Sequence, residues 1–286
     1  MEILFAGVRG SAPRGGPGQT RWGGHSTCVL ATGAAGDRLL LDCGSGVQRA
    51  AAALGPDVDE LTVLFTHLHL DHVLGFPMLP LLHRPGARIT VASALPSHEL
   101  REALDRLMSP PFWPIGLDDV PAEIDVLHVP NDGTPWTTGD LTVRGLAMPH
   151  PGGVTAWRVD DAAGGAFVQA TDVEWSGASP ARRARFVELC AAPHPADLLA
   201  MDGQFPADAL PDFAGWGHSS PEQVLEAAAA AGVGAVRIVH HAPDRDDDAL
   251  DAMDAAVRAQ SPAAALAREG ETILLPSAAR DRKDAS

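Results

Sequence analysis

The string Thr66-His67-Leu68-His69-Leu70-Asp71-His72 sets three imidazoles and one carboxylate within six residues. Neutral imidazole and carboxylate are the donors that zinc and similar divalent ions take. The apolar run Leu61–Phe65 precedes the string and reads as a buried strand, so the string falls on a loop at that strand's carboxyl end. His67 and His69 have the period-two spacing that turns both rings to one side, and Asp71 and His72 then enter a helix. The competing reading is that the histidines cap a helix or fill the core. So many titratable groups packed without a metal would leave buried polar atoms unpaired, at several kcal/mol each. The pattern therefore favours a metal site.

Four further segments each end an apolar run on a polar residue that could join such a site. They are Leu39–Gly44 with Asp42, Met148–Gly152 with His150, Ala170–Glu174 with Asp172, and Val236–His241 with two adjacent histidines. Taken alone, a strand-ending Asp is ordinarily a turn residue. A fifth segment, Gly215-Trp216-Gly217-His218-Ser219-Ser220-Pro221, precedes a helix. A helix cap explains its serines but not His218.

The elements that must carry these residues follow from apolar runs bounded by Gly, Pro and Asp. The pattern predicts strands at Glu2–Val8, Thr27–Thr32, Arg38–Asp42, Leu61–Thr66, Arg88–Ala92, Glu123–Val129, Leu141–Ala147, Val154–Asp160, Ala166–Thr171, Asp197–Met201, Ala235–His240 and Glu271–Leu275. Helices are expected at Gly46–Leu54, Val73–His83, Ser97–Met108, Pro180–Ala191, Pro221–Ala231 and Asp246–Gln260. One domain over residues 1–277 and a polar tail over 278–286 are expected.

Asp and Glu number 37 and Lys and Arg 21, a formal charge of −16. That balance disfavours a broad grip on nucleic acid, whose phosphates need a basic surface. No window approaches ~20 uninterrupted apolar residues. The opening Met1-Glu2-Ile3 lacks a basic segment and a long apolar stretch, so no signal peptide and a cytoplasmic location are expected. Three cysteines, Cys28, Cys43 and Cys190, supply no disulfide framework.

The ordered set of motifs resembles the metallo-β-lactamase-fold hydrolases over most of the chain. The resemblance implies an α/β fold, an αββα sandwich of two mixed β-sheets flanked by helices. It implies two divalent metal ions, zinc or else manganese or iron, at the strand ends. His67, His69 and His150 would hold one, Asp71, His72 and His240 the other, and Asp172 would bridge them. His240 and His241 compete for the last position. The family pattern puts the ligand on His240, which leaves His241 as a supporting or substrate-facing group. Asp42 would hold the metal loop or a ligand histidine.

The His218 loop is similar to that of the tRNase Z and phosphonate-pathway phosphodiesterase branch, where the loop histidine gives a proton to the leaving group. Asp202, in Asp197–Gly203, would orient it. Gly24-His25-Ser26-Thr27 repeats similar letters early in the chain, and His25 is expected to line the pocket without acting in catalysis. Arg14 and Arg21 read as solvated. The long Gly-rich basic arm of tRNase Z is not found.

The function this implies is a binuclear metal-dependent phosphodiesterase acting on a small substrate, such as a cyclic nucleotide or cyclic phosphate, through a hydroxide shared by the metals. Asp71 or Asp172 would orient that nucleophile, and His218 would act as the acid. The alternatives are a lactonase, β-lactamase-like enzyme or thioester hydrolase on the same site, a tRNase Z-like nuclease, and a non-catalytic metal-binding module. A small phosphodiester is the expected partner. Neither stable nucleic-acid binding nor a membrane is expected, and a homodimer is allowed.

Overall fold

The structure is a computed structural model that describes residues 1–276; the tail expected at 278–286 lies outside the described residues. Two seven-stranded mixed sheets face each other. In chain order the first holds β1 (Glu2–Gly7), β2 (Cys28–Thr32), β3 (Arg38–Leu41), β4 (Glu60–Leu64), β5 (Arg88–Ser93) and β6 (Glu123–His128). The second holds β7 (Trp136–Thr138), β8 (Leu141–Met148), β9 (Val154–Asp161), β10 (Ala166–Ala170), β11 (Leu198–Asp202), β12 (Ala235–Val239) and β13 (Ala264–Leu266). The last strand, β14 (Thr272–Leu274), returns to pair antiparallel with β1 in the first sheet. Strands β3 to β6 run parallel, as do β10 to β13.

Three apolar layers follow from strands buried on both faces, which is why they read as continuous apolar runs. Ile3, Phe5, Leu39, Leu41, Trp157, Phe167, Leu198 and Ala200 fill the space between the sheets. Their neighbours Leu4, Leu40 and Val63 point outward under α1 (Val47–Leu54) and α3 (Ser97–Leu107). Val168, Leu199 and Ile238 point outward under α4 (Pro180–Ala191), α5 (Pro221–Ala231) and α6 (Asp247–Gln260). The result is the αββα sandwich.

The helix expected at Val73–His83 does not form. A short turn of helix, Leu70–Val73, is followed by two 3-10 turns, Phe76–Met78 and Pro80–His83. Pro77 and Pro80 remove amide donors, and Gly75 is where this segment crosses the loop that follows β3. A Cβ on Gly75 would lie 2.0 Å from the Gly44 carbonyl oxygen. Strands β7 and β13 were not legible. Each has three residues, and Ala264–Leu266 carries little intrinsic β preference. All three cysteines are free and buried, and no helix among the described residues is long and apolar enough to cross a membrane.

The loop between β1 and β2 is tied to α6 by Asp247. Its carboxylate accepts the N–H groups of Thr20 at 2.8 Å, Arg21 at 2.9 Å and Trp22 at 3.2 Å. Burial pushes this carboxyl up, but those donors outweigh it and hold it below its ordinary range. Asp247→Ala orphans the donors and should cost about 1–3 kcal/mol in urea unfolding at pH 7. Because the folded carboxyl is depressed, the difference from wild type should be full above about pH 4 and shrink as pH falls. A difference independent of pH would point to packing alone.

Candidate metal centre

The candidate ligands and Asp42 sit at carboxyl ends of strands. Asp42 follows β3, the His67–His72 loop follows β4, His150 follows β8, Asp172 follows β10, and His240 follows β12. Asp42, Asp172 and His240 have φ of 57°, 56° and 64°. Left-handed backbone at a non-glycine residue costs about 1–2 kcal/mol. Here it ends each strand sharply and swings the side chain across the strand tips.

Seven side chains converge. His67, His69 and His150 form one group, with His150 Nε2 3.0 Å from His69 Nδ1. Asp71, His72 and His240 form a second, in which Asp71 Oδ2 lies 3.2 Å from Nε2 of each histidine. Asp172 stands between them. Its Oδ2 is 3.1 Å from Nε2 of both His72 and His240, and its Oδ1 is 4.0 Å from His67 and 3.8 Å from His150.

These donors fit a metal pair. The Nε2 atoms of His67 and His72 are buried and make no hydrogen bond among the described residues. Their opposite nitrogens are taken, His67 Nδ1 by Thr66 Oγ1 at 3.1 Å and His72 Nδ1 by Asp42 Oδ2 at 2.9 Å. That arrangement fixes the tautomer with Nε2 as the free donor atom. Asp42 also accepts the Thr66 N–H at 2.8 Å, so one buried carboxylate holds both the loop and His72. Six imidazole or carboxylate donors around a shared carboxylate suit zinc and its neighbours.

The electrostatics are those of a compact ion cluster. Burial raises the Asp172 carboxyl, but His240 and His72 outweigh it and hold it well below the ordinary range. Burial likewise raises Asp71, and His72 and His240 overcome it. His240 is lowered by burial yet pushed up to about 9, chiefly by Asp172. His67 is pushed down to about 2 by burial and by the neighbouring His72.

His218 stands beside this cluster at the start of α5. Its Nδ1 donates to Asp202 Oδ2 at 2.6 Å, and its ring stacks on His240 at 5.1 Å between centroids. Ser220, not His218, caps α5, accepting the Gln223 N–H at 3.4 Å.

Two expected contacts are corrected. His241 neither supports a ligand nor faces substrate. Its Nε2 donates to the Ala267 carbonyl at 2.8 Å, and its ring meets Trp22 edge-on. β12 ends at Val239, and the left-handed φ of 64° at His240 turns the two rings apart. His25, expected to line the pocket, is exposed and bonded to Ser45 Oγ at 3.1 Å, and it is not among the residues lining the cleft beside His67 and His69. Arg21, read as solvated, is half-exposed and pairs at the surface with Asp248 and Asp251. If His240 is the ligand, His240→Ala should halve the metal content or worse by elemental analysis, and His241→Ala should keep it. The reverse pattern would put the ligand one residue on.

Sequence reading missed the groups that make room. A Cβ on Gly10 would lie 2.3 Å from His240 Nδ1, and one on Gly217 would lie 1.9 Å from His150 Nδ1. Glu174 accepts the N–H groups of Gly215 at 2.9 Å and Gly217 at 3.1 Å, pinning the His218 loop. The Ser11 N–H donates to Asp71 Oδ2 at 2.8 Å. None of these has a sequence signal, because each acts through a backbone contact across the fold.

The family model described as the Beta-lactamase superfamily domain matches residues 37–241. A protein named Ribonuclease Z from Bradyrhizobium sp. (strain ORS 278) is 32% identical over 196 residues, 67% of this chain but only 54% of that protein's length. One of the same name from Mycobacterium avium (strain 104) is 31% identical over 77% of this chain and 80% of its own. Among solved structures, the metallo-β-lactamase fold protein YhfI from Bacillus subtilis superposes with a TM-score of 0.70 at 19% identity, covering 96% of this chain and 99% of that one. A diphosphatase from the PhnP family gives 0.67 at 15% identity, covering 95% and 96%. At such identities the structural likeness is one of fold. The chain belongs to the β-lactamase superfamily, with the metallo-β-lactamase fold, on the branch that holds the ribonuclease Z relatives.

Proposed function

We propose that the chain is a phosphodiesterase acting on a small substrate, such as a cyclic nucleotide or cyclic phosphate. His67, His69 and His150 would hold one divalent ion and Asp71, His72 and His240 a second, with Asp172 between them. Zinc suits this mixture, with manganese or iron able to replace it. When bound, the ions supply positive charge that stabilises charge developing on phosphoryl oxygens and makes a water more acidic.

The chain's own residues do the rest. Asp71 makes its contacts to Ser11, His72 and His240 through Oδ2, which leaves Oδ1 to orient the attacking water. His218 gives its Nε2 proton to the departing alkoxide, while Asp202 holds Nδ1 and fixes the ring. The buried His218–Asp202 pair beside the cluster is the observation that carries the reading. A thioester releases a thiolate that needs no acid, so it would make little use of that pair.

A small substrate is supported by the charge of −16 and by a cleft of about 340 Å³ beside His67 and His69. The relatives named Ribonuclease Z favour a second reading, cleavage of precursor tRNA. A turnover screen of the zinc- or manganese-loaded protein tests both. It should include bis-p-nitrophenyl phosphate, a 2′,3′-cyclic nucleotide, a precursor tRNA, a lactone and a cephalosporin. Turnover of the small diesters above the tRNA is expected. Preferred cleavage of the tRNA would replace this reading with the second, and turnover of the lactone or cephalosporin alone would overturn both.

A further inference from the structure

The chain has six tryptophans, eight phenylalanines and no tyrosine. Three of these rings, Phe205, Phe213 and Trp216, fall within twelve residues, in the segment joining β11 to α5. Phe205 and Phe213 lie face to face, with centroids 3.9 Å apart and planes within 3°. Trp216 meets Phe213 edge-on at 5.2 Å. At the other end, Phe205 meets the His218 ring edge-on at 5.6 Å. The three rings and the imidazole form one continuous wall.

That wall is fixed and open. Glu174 holds the N–H groups of Gly215 and Gly217, and the Gly217 carbonyl accepts from His150 Nδ1 at 3.0 Å. Trp216 is nevertheless 59% exposed, whereas Trp22, Trp157 and Trp175 are at most 3% exposed. Phe205 and Phe213 are half-buried. A loop ordered by these three backbone ties still shows an indole to solvent, so an apolar ring face stands open beside His218.

We propose that Phe205, Phe213 and Trp216 form a stacking platform for a planar aromatic ring on the substrate's leaving alcohol. The inference rests on His218 being the acid of a phosphodiesterase. The acid must touch the leaving oxygen, so whatever that oxygen carries lies beyond His218, where Phe205 begins the stack. Aromatic faces hold planar rings better than saturated rings of similar size. The leaving alcohol is therefore an arylalkyl alcohol or a nucleoside.

Matched diesters test this in the metal-loaded protein. Benzyl methyl phosphate and cyclohexylmethyl methyl phosphate differ in ring planarity and only slightly in the acidity of the leaving alcohol, a difference the ring variants share with wild type, and the methyl phosphate ester of adenosine at its 5′ oxygen supplies a nucleobase. The benzyl-to-cyclohexylmethyl ratio of kcat/KM should exceed one. It should fall about tenfold in Phe213→Ala and in Trp216→Ala, and recover largely in Trp216→Phe. The relative rates of the benzyl and adenosine esters tell a simple aryl ring from a nucleobase. A wild-type ratio near one, or a ratio that neither variant moves, would overturn the platform. Adenosine monophosphate binding gives a second readout, a quench of tryptophan fluorescence that Trp216→Ala removes. If that quench appears and no diester is hydrolysed, the platform stands and the phosphodiesterase reading falls. If diesters are hydrolysed with a ratio of one and no such quench, the reverse holds.

Discussion

Asp172→Ala should cost more than any other single change at the candidate centre. The carboxylate reaches the first histidine group with one oxygen and the second with the other, at 3.8–4.0 Å and 3.1 Å. No other carboxylate in the cluster spans both. Without it, the first group keeps three neutral imidazoles, and the second keeps two imidazoles and Asp71. If the two groups hold one divalent ion each, as proposed, those ions would lose the negative charge between them. Metal content should fall from two ions per chain to one or fewer, and phosphodiester turnover should drop more than ~10³-fold. Asp172→Asn separates charge from shape. It keeps the size of the side chain and should lose nearly as much metal as the alanine. Elemental analysis of both variants after gel filtration checks this. Two retained ions in Asp172→Ala would remove the bridging role.

Why these residues were legible from sequence, and others not, comes down to where each interaction is encoded. A site residue that ends a strand follows an apolar run, so Asp42, His150, Asp172 and His240 each carry a local signature. His67 and His69 add the two-residue spacing of one extended segment. The choice between His240 and His241 is harder, because both letters are the same. It is decided by the left-handed φ of 64° at His240, which turns one ring into the cluster and leaves the next against Ala267. His25 sits in a look-alike string ahead of β2, and no catalytic part was expected of it.

Gly10, Gly217, Glu174 and Ser11 act through close approach or backbone bonding between distant segments, and such contacts leave no pattern along the chain. The aromatic wall was hidden for another reason. An average of 5% aromatic residues argues against stacking surfaces, but the average is silent on three rings gathered in one loop. In the fold itself, the long strands were readable from burial on both faces. Strands β7 and β13 exist only through the partners they pair with.

His218→Ala should retain both ions, because its Nδ1 is committed to Asp202 and its ring stacks outside the two ligand groups. The effect should fall on rate and depend on the leaving group. An alkoxide has a high pKa, and expelling it without a proton is costly. A positioned acid contributes typically ~10²–10⁴-fold. On an alkyl phosphodiester the variant should lose that factor in kcat. On bis-p-nitrophenyl phosphate the loss should be far smaller, because nitrophenolate departs unprotonated. Asp202→Asn probes the same step at one remove. The amide can still accept a hydrogen bond at Nδ1 but carries no charge to offset an imidazolium, so the loss should follow the same order of substrates and be smaller on each. Equal losses on both substrates in His218→Ala would reduce the residue to a phosphate contact. No loss on either, with efficient turnover of a lactone, would leave the loop as the lead-in to α5 and end the phosphodiesterase assignment.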